Sequence, residues 1–233
     1  MNFRTGLFFL FFLTINHIIA QLDANSVMGL PAGTTAEINA ITTAQEGAIA
    51  YDTTVKRMLQ YNNGSWQEIL TAGNVYVGAL QISSAGTINV TGIPFQPSSV
   101  TFRAHANVET FNLDSDNLTN NDRGIRNSYG SMDGFARNNG GSITQQVIYV
   151  GGHGNSINDI SRFASNSNAI GLRYGDQNGD LLGKITGTVT SFTANGFQIA
   201  VNYTNGVITN TGNNVRPTDI HNEGIIVLYT AYR

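Results

Sequence analysis

The feature that most constrains this chain is a series of short segments in which apolar and polar residues alternate, from residue 73 to the end. Clusters of Gly, Asn, Asp and Pro separate these segments, and a period of two is that of a strand with one buried face. No stretch after residue 45 has the length or period of a useful helix. The pattern predicts an all-β fold, a β-sandwich or jelly-roll-like domain over residues 73–233. The predicted strands are 75–82, 86–91, 99–106, 108–111, 143–150, 169–174, 181–192, 196–203 and 225–232, the last of them buried.

Composition supports an extracellular β protein. Charged residues make up only 12%, whereas the chain has 28 Asn and 26 Gly, so neutral polar side chains must cover much of the surface. The net charge is -3 and there is no basic run, which argues against a nucleic-acid partner. Because there is no cysteine, packing and self-association must supply the stability that disulfides give many exported proteins.

The N-terminal residues 1–20 have the pattern of a secretory signal. Arg4 is followed by the apolar run 7–15, and Ala20 precedes the expected cleavage point. An uncleaved anchor is the alternative. The pattern predicts a secreted or cell-surface protein with no membrane span after signal removal, and residues 21–33 read as a linker.

Residues 34–72 form a separate cassette. Thr34 and Glu37 have the spacing of a capping box, which predicts a short helix over about residues 35–41. Three strands follow, at 48–51, 56–61 and 65–69, and Asn63-Gly64 favours a hairpin turn before the last. The cassette is therefore predicted to be a short helix and a small β-meander.

The order Thr-Thr-Ala-Glu-x-Asn-Ala-Ile, Gly-x-x-x-Tyr-Asp-Thr-Thr and Tyr-Asn-Asn-Gly-Ser-Trp resembles a cassette of secreted surface proteins of Bacteroidetes-type bacteria and of phage tail fibres. Residues 90–102, 190–197 and 228–233 resemble segments of tail-fibre-like β domains. The resemblance implies a bacterial surface or fibre protein, often a homotrimer, with a role in adhesion or structure rather than catalysis. Tyr51, Tyr61 and Trp66 could form the core of the meander or an aromatic platform for a ligand.

Two acidic stretches are candidate calcium sites. Asp176, Asn178 and Asp180 occupy the first three ligand positions of a calcium loop, although a hairpin turn explains the same residues. Asp114, Asp116 and Asp122 form the second stretch, in a loop predicted over 113–128, where a solvated loop is the alternative. No other cofactor is expected, since the three histidines after the signal lack metal-ligand spacing.

The candidate ligand-binding residues lie among glycines in what the sequence predicts to be central loops: Tyr129, Phe135, Arg137, Asn138 and Asn139. Aromatic faces stack on sugar C–H groups and amides match sugar hydroxyls, so a carbohydrate or another cell-surface ligand would suit them. Ordinary loop composition is the alternative. No nucleophile elbow or paired carboxylate motif points to an enzyme. The sequence therefore favours a non-enzymatic binding protein, with a structural oligomer and a glycan-active enzyme as alternatives.

Overall fold

The computed structural model describes residues 29–69, 73–116, 124–207 and 215–233. The chain divides into two compact units, Met1–Thr71 and Ala72–Arg233. The predicted signal, most of the predicted linker and Asp122 lie outside the described residues.

The first unit is a four-stranded sheet with one short helix. The strands are β1 (Ala32–Gly33), β2 (Ile49–Asp52), β3 (Arg57–Asn62) and β4 (Ser65–Glu68), in that order across the sheet. β1, which falls in the predicted linker, runs parallel to β2, and the other pairs are antiparallel.

Helix α1 (Thr35–Asn39) has the predicted capping box but ends two residues earlier than expected. Asn63 and Gly64 adopt φ values of 52° and 77°, as a tight hairpin requires. The Tyr61 ring is buried and meets Trp66 edge-on at 5.3 Å. The Trp66 indole N–H donates to the Ile41 carbonyl, so both rings belong to the packing of the meander.

The described residues of the second unit form ten strands in two antiparallel sheets, which confirms the all-β prediction. The six-stranded sheet has the order β10-β9-β8-β7-β14-β5, and the four-stranded sheet the order β11-β12-β13-β6. Short 3-10 helices lie at Ile125–Asn127 and Asp219–Asn222. The strands are β5 (Val75–Ile82), β6 (Gly86–Val90), β7 (Ser99–His105), β8 (Ser128–Asn138), β9 (Ile143–His153), β10 (Ser156–Ser165), β11 (Ile170–Gly175), β12 (Leu181–Thr193), β13 (Gly196–Val207) and β14 (Ile225–Tyr232).

The inner faces of the two sheets share one hydrophobic core. Phe197 of β13 is fully buried and meets rings from the other sheet edge-on, Phe102 of β7 at 5.7 Å and Tyr229 of β14 at 5.3 Å. Contacts of this kind between facing strands are those of a β-sandwich. One face of the six-stranded sheet is thereby buried, and the opposite face remains exposed.

Three details of the strand prediction are wrong. The expected strand at 108–111 does not form, because Asn107 takes a φ of 62° directly after β7 and turns the chain away. β8 and β10 were not predicted, since most of their inward positions carry small or polar residues instead of large apolar ones. In β8, Gly130 and Gly134 lie so close to Tyr149 and to the Ala169 carbonyl that a side chain could not fit.

Candidate functional site

The exposed face of the six-stranded sheet is a candidate site in the second unit, and we call it the outer face. On β8 the side chains of Asp133, Phe135 and Arg137 point outward, alternating with buried Met132 and Ala136. The period of two places the outward residues of all six strands on one surface.

Register brings residues from five strands together at the centre of the outer face. Phe135 pairs with Thr101 of β7 and with Gln146 of β9, whereas Thr101 pairs with Thr230 of β14. Thr230 in turn pairs with Val77 of β5. The row next to it continues the same surface, and its members are Ala79, Leu228, Arg103, Asp133 and Ile148.

All members of these two rows except Ala79 line a shallow concavity of about 820 Å³. Its walls are mainly apolar, and Val77, Ile148 and Leu228 are 73%, 57% and 56% exposed. Single exposed apolar residues are ordinary, but several on one concave face, here interspersed with Thr101, Thr230 and Arg103, are typical of a site of binding or assembly. Phe135, 40% exposed, supplies an aromatic ring within it.

One ion pair lies across the concavity. The Arg103 Nε donates to Asp133 Oδ1 at 2.9 Å, and the two side chains are 78% and 62% exposed. An exposed pair of this kind contributes about 0–1 kcal/mol to stability. Its main chemical consequence is that a hydrogen-bond donor, Arg103, and an acceptor, Asp133, lie beside the aromatic ring of Phe135.

The structure separates the predicted ligand residues. The prediction that they occupy loops is wrong for the first four, which lie on β8, with Asn139 in the turn that follows. Tyr129 is six residues from Phe135, which corresponds to about 20 Å along a strand. Of the five predicted residues, Phe135 is the one that lines the concavity.

The amides at this turn hold the turn together. Asn138 Oδ1 accepts from the Gly140 N–H, and Asn139 Oδ1 accepts from Arg137 Nε at 3.0 Å. Asn139 Nδ2 donates to the Thr144 hydroxyl at 2.7 Å. These polar groups are therefore engaged within the hairpin and do not surround a ligand site together with Tyr129.

The sequence did not reveal the contribution of β14. The prediction of a buried strand is correct for one face only, since Leu228 and Tyr232 are 56% and 39% exposed. When the residues on both sides of a strand are apolar, the strand has a second apolar face. The sequence of β14 carried this signal. The pairing of β14 with Arg103 of β7 and with Val77 of β5 could not be read from the sequence. It depends on the register between strands that are far apart in the chain.

The predicted calcium residues around Asp176 form a turn. Asp176 is fully buried, and its Oδ1 accepts from the backbone N–H groups of Asn178 at 2.8 Å and Asp180 at 2.9 Å. Gly179 completes the turn with a φ of 82°. Asp114 and Asp116 are exposed. Within the described parts of the chain, no group of three or more His, Asp or Glu side chains comes together in a way that could hold a metal ion.

Comparison with protein-family models, with curated proteins and with solved structures gives no significant match. No helix among the described residues is long and apolar enough to cross a membrane. The function of this chain must therefore be inferred from its own surface.

Proposed function

We propose that this chain is a secreted or cell-surface, non-enzymatic protein whose β-sandwich binds a surface ligand through the outer face of its six-stranded sheet. The observation that supports this is the contiguous exposed surface centred on Phe135, with an ion pair and an amide beside an aromatic ring. Aromatic stacking and paired donors and acceptors are the means by which proteins hold carbohydrates.

Self-association through the same face is the second candidate, and a homotrimer is the form that the sequence resemblance implies. The apolar character of Val77, Ile148 and Leu228 favours it, since assembly interfaces bury such side chains. Both candidates use the same surface, so their tests can share variants.

An enzyme acting on glycans fits the described residues less well. Glu109 and Glu223 are hydrogen bonded to each other, and Glu223 is 7% exposed. Catalytic carboxyl groups of glycosidases stand about 5 Å or more apart on opposite sides of the sugar. A hydrogen-bonded, buried pair does not leave room for a sugar between the two groups.

The test compares the full chain with the variants Phe135→Ser and Phe111→Ser. Phe111 is an aromatic residue that is 66% exposed and does not line the concavity, so it serves as the matched control. Binding to a glycan array is measured with calcium and with a chelator, and the mass in solution is measured by light scattering.

Saturable glycan binding that Phe135→Ser loses and Phe111→Ser keeps would support ligand binding at the outer face. A wild-type mass of several chains that falls to one chain in Phe135→Ser would support assembly. A monomer without glycan binding would overturn both candidates. Binding that disappears with the chelator would favour the predicted calcium sites at Asp114, Asp116 and Asp122, or at the turn around Asp176.

A further inference from the structure

Two glutamates meet at the end of the sandwich where β14 begins. Glu223 lies two residues before β14, and Glu109 follows β7 in the segment that turns away after Asn107. A side-chain hydrogen bond with Glu109 is one of the causes that raise the pKa of Glu223. A β-carbon built on Gly224 would lie 3.6 Å from the Glu109 Cβ, so the two chain segments are packed together.

Hydrogen bonds to backbone carbonyl groups hold the same two segments in place. The Ile226 N–H donates to the Val108 carbonyl at 2.7 Å, and the Gln81 amide donates to the Glu109 carbonyl at 2.7 Å. The Tyr203 hydroxyl donates to the Glu223 carbonyl at 2.8 Å. The segment after β7 is thus joined to both strands next to it in space, β14 and β5.

A hydrogen bond between two carboxyl groups needs a proton. Ionised carboxylates only accept, so two of them cannot bond to each other and their charges repel. Glu223 is 7% exposed, and within the described residues its Oε2 has no hydrogen-bond partner. A second negative charge at this position would have no hydrogen bond to Oε2 from the described residues to compensate it.

The surrounding charged groups shift the pKa of Glu223 in both directions. Burial raises the pKa of Glu223 to about 8, and the neighbouring Glu109 contributes to the same shift. The exposed Arg126 lowers this pKa, whereas Asp219 raises it. Tyr174 packs nearby, and burial holds the pKa of its hydroxyl well above the usual value, so it stays neutral.

We propose that Glu109 and Glu223 form a proton-held latch that fixes the segment around residues 107–110 to the start of β14. Above the pH at which the pair gives up its shared proton to solvent, both groups are ionised and repel each other. The latch then opens, and the first contact to be strained is the backbone hydrogen bond between Ile226 and Val108. This property is independent of the ligand or partner that the outer face takes.

The test is amide hydrogen exchange on the full chain, expressed as protection factors at about pH 6 and about pH 9. The variants are Glu223→Gln and Glu109→Gln, because a neutral amide can donate to the remaining carboxylate at both pH values. Asp116→Asn removes an exposed carboxylate outside the pair and is the control. Because Glu109 is less buried than Glu223, its variant tests the latch even if Glu223→Gln fails to fold.

In the wild type and in Asp116→Asn, we expect protection at residues 107–110 and 224–227 to fall about tenfold or more at the higher pH. In the two glutamine variants the protection should remain the same at both pH values. A wild-type profile that matches the glutamine variants would overturn the latch. So would a loss of protection that calcium prevents in the wild type, because the pair would then hold a cation in place of a proton.

Discussion

Gly134 provides a direct test of how closely the two sheets approach each other. It lies on the inner side of β8, and a β-carbon at this position would be 1.9 Å from the Ala169 carbonyl oxygen and 3.0 Å from that of Gln146. Both are backbone atoms, so no side-chain rotation can relieve the overlap. Gly134→Ala therefore requires a local separation of the chains by about 1 Å in a close-packed interior.

Two opposing terms set the size of the effect. Replacing glycine with alanine restricts the unfolded chain and favours folding by about 0.4–1 kcal/mol. Overpacking in a close-packed core costs about 1–3 kcal/mol or more, and a clash with backbone belongs at the upper end. We expect a net loss of about 2–3 kcal/mol, which for a domain of this size lowers Tm by about 4–12 °C.

Gly154→Ala is the matched control for this experiment. The nearest atom to a β-carbon at Gly154 is the Asn127 carbonyl oxygen at 3.7 Å, an ordinary contact. Thermal unfolding followed by circular dichroism should show this control equal to or slightly more stable than the wild type. If Gly134→Ala unfolded at the same temperature as Gly154→Ala, the reasoning about the sheet approach would be refuted.

Three further predictions concern the core and the cassette. Phe197→Ala removes the buried ring that joins the two sheets and should lower the free energy of unfolding by about 3–5 kcal/mol, measured by urea titration. Thr34→Ala removes the cap of α1 and should destabilise the first unit by about 0.5–2 kcal/mol. The fluorescence of Trp66, the only tryptophan, reports that change, and an unchanged midpoint would contradict it. A hydrogen bond from the Thr35 hydroxyl, together with backbone N–H bonds, lowers the pKa of Asp52 from its ordinary value. Its contribution to stability is therefore present above the unfolded pKa and is lost as the pH falls through the lower folded value. An acid transition in Trp66 fluorescence should be weaker in Asp52→Asn, and identical acid transitions would count against this role.

Local features of this chain were readable from the sequence alone. The capping box at Thr34, the Asn63-Gly64 hairpin and the alternation in β7 depend on residues within a few positions of one another. Backbone sterics and short-range hydrogen bonds decide such features, so the all-β class and most strands could be predicted.

Other features were decided only when distant segments packed together. β8 was not predicted, because glycines at its inward positions suit a strand only when Tyr149 and Ala169 pack against them. The outer face depends on the register that places Leu228 beside Arg103, and the carboxyl pair depends on Glu109 meeting Glu223 from a distant part of the chain. The sequence by itself determined the all-β class and most of the strands and turns, because those preferences are local. Which strands pair, which face stays exposed and which carboxyl groups meet followed from tertiary packing, because each requires residues that only the folded chain brings together.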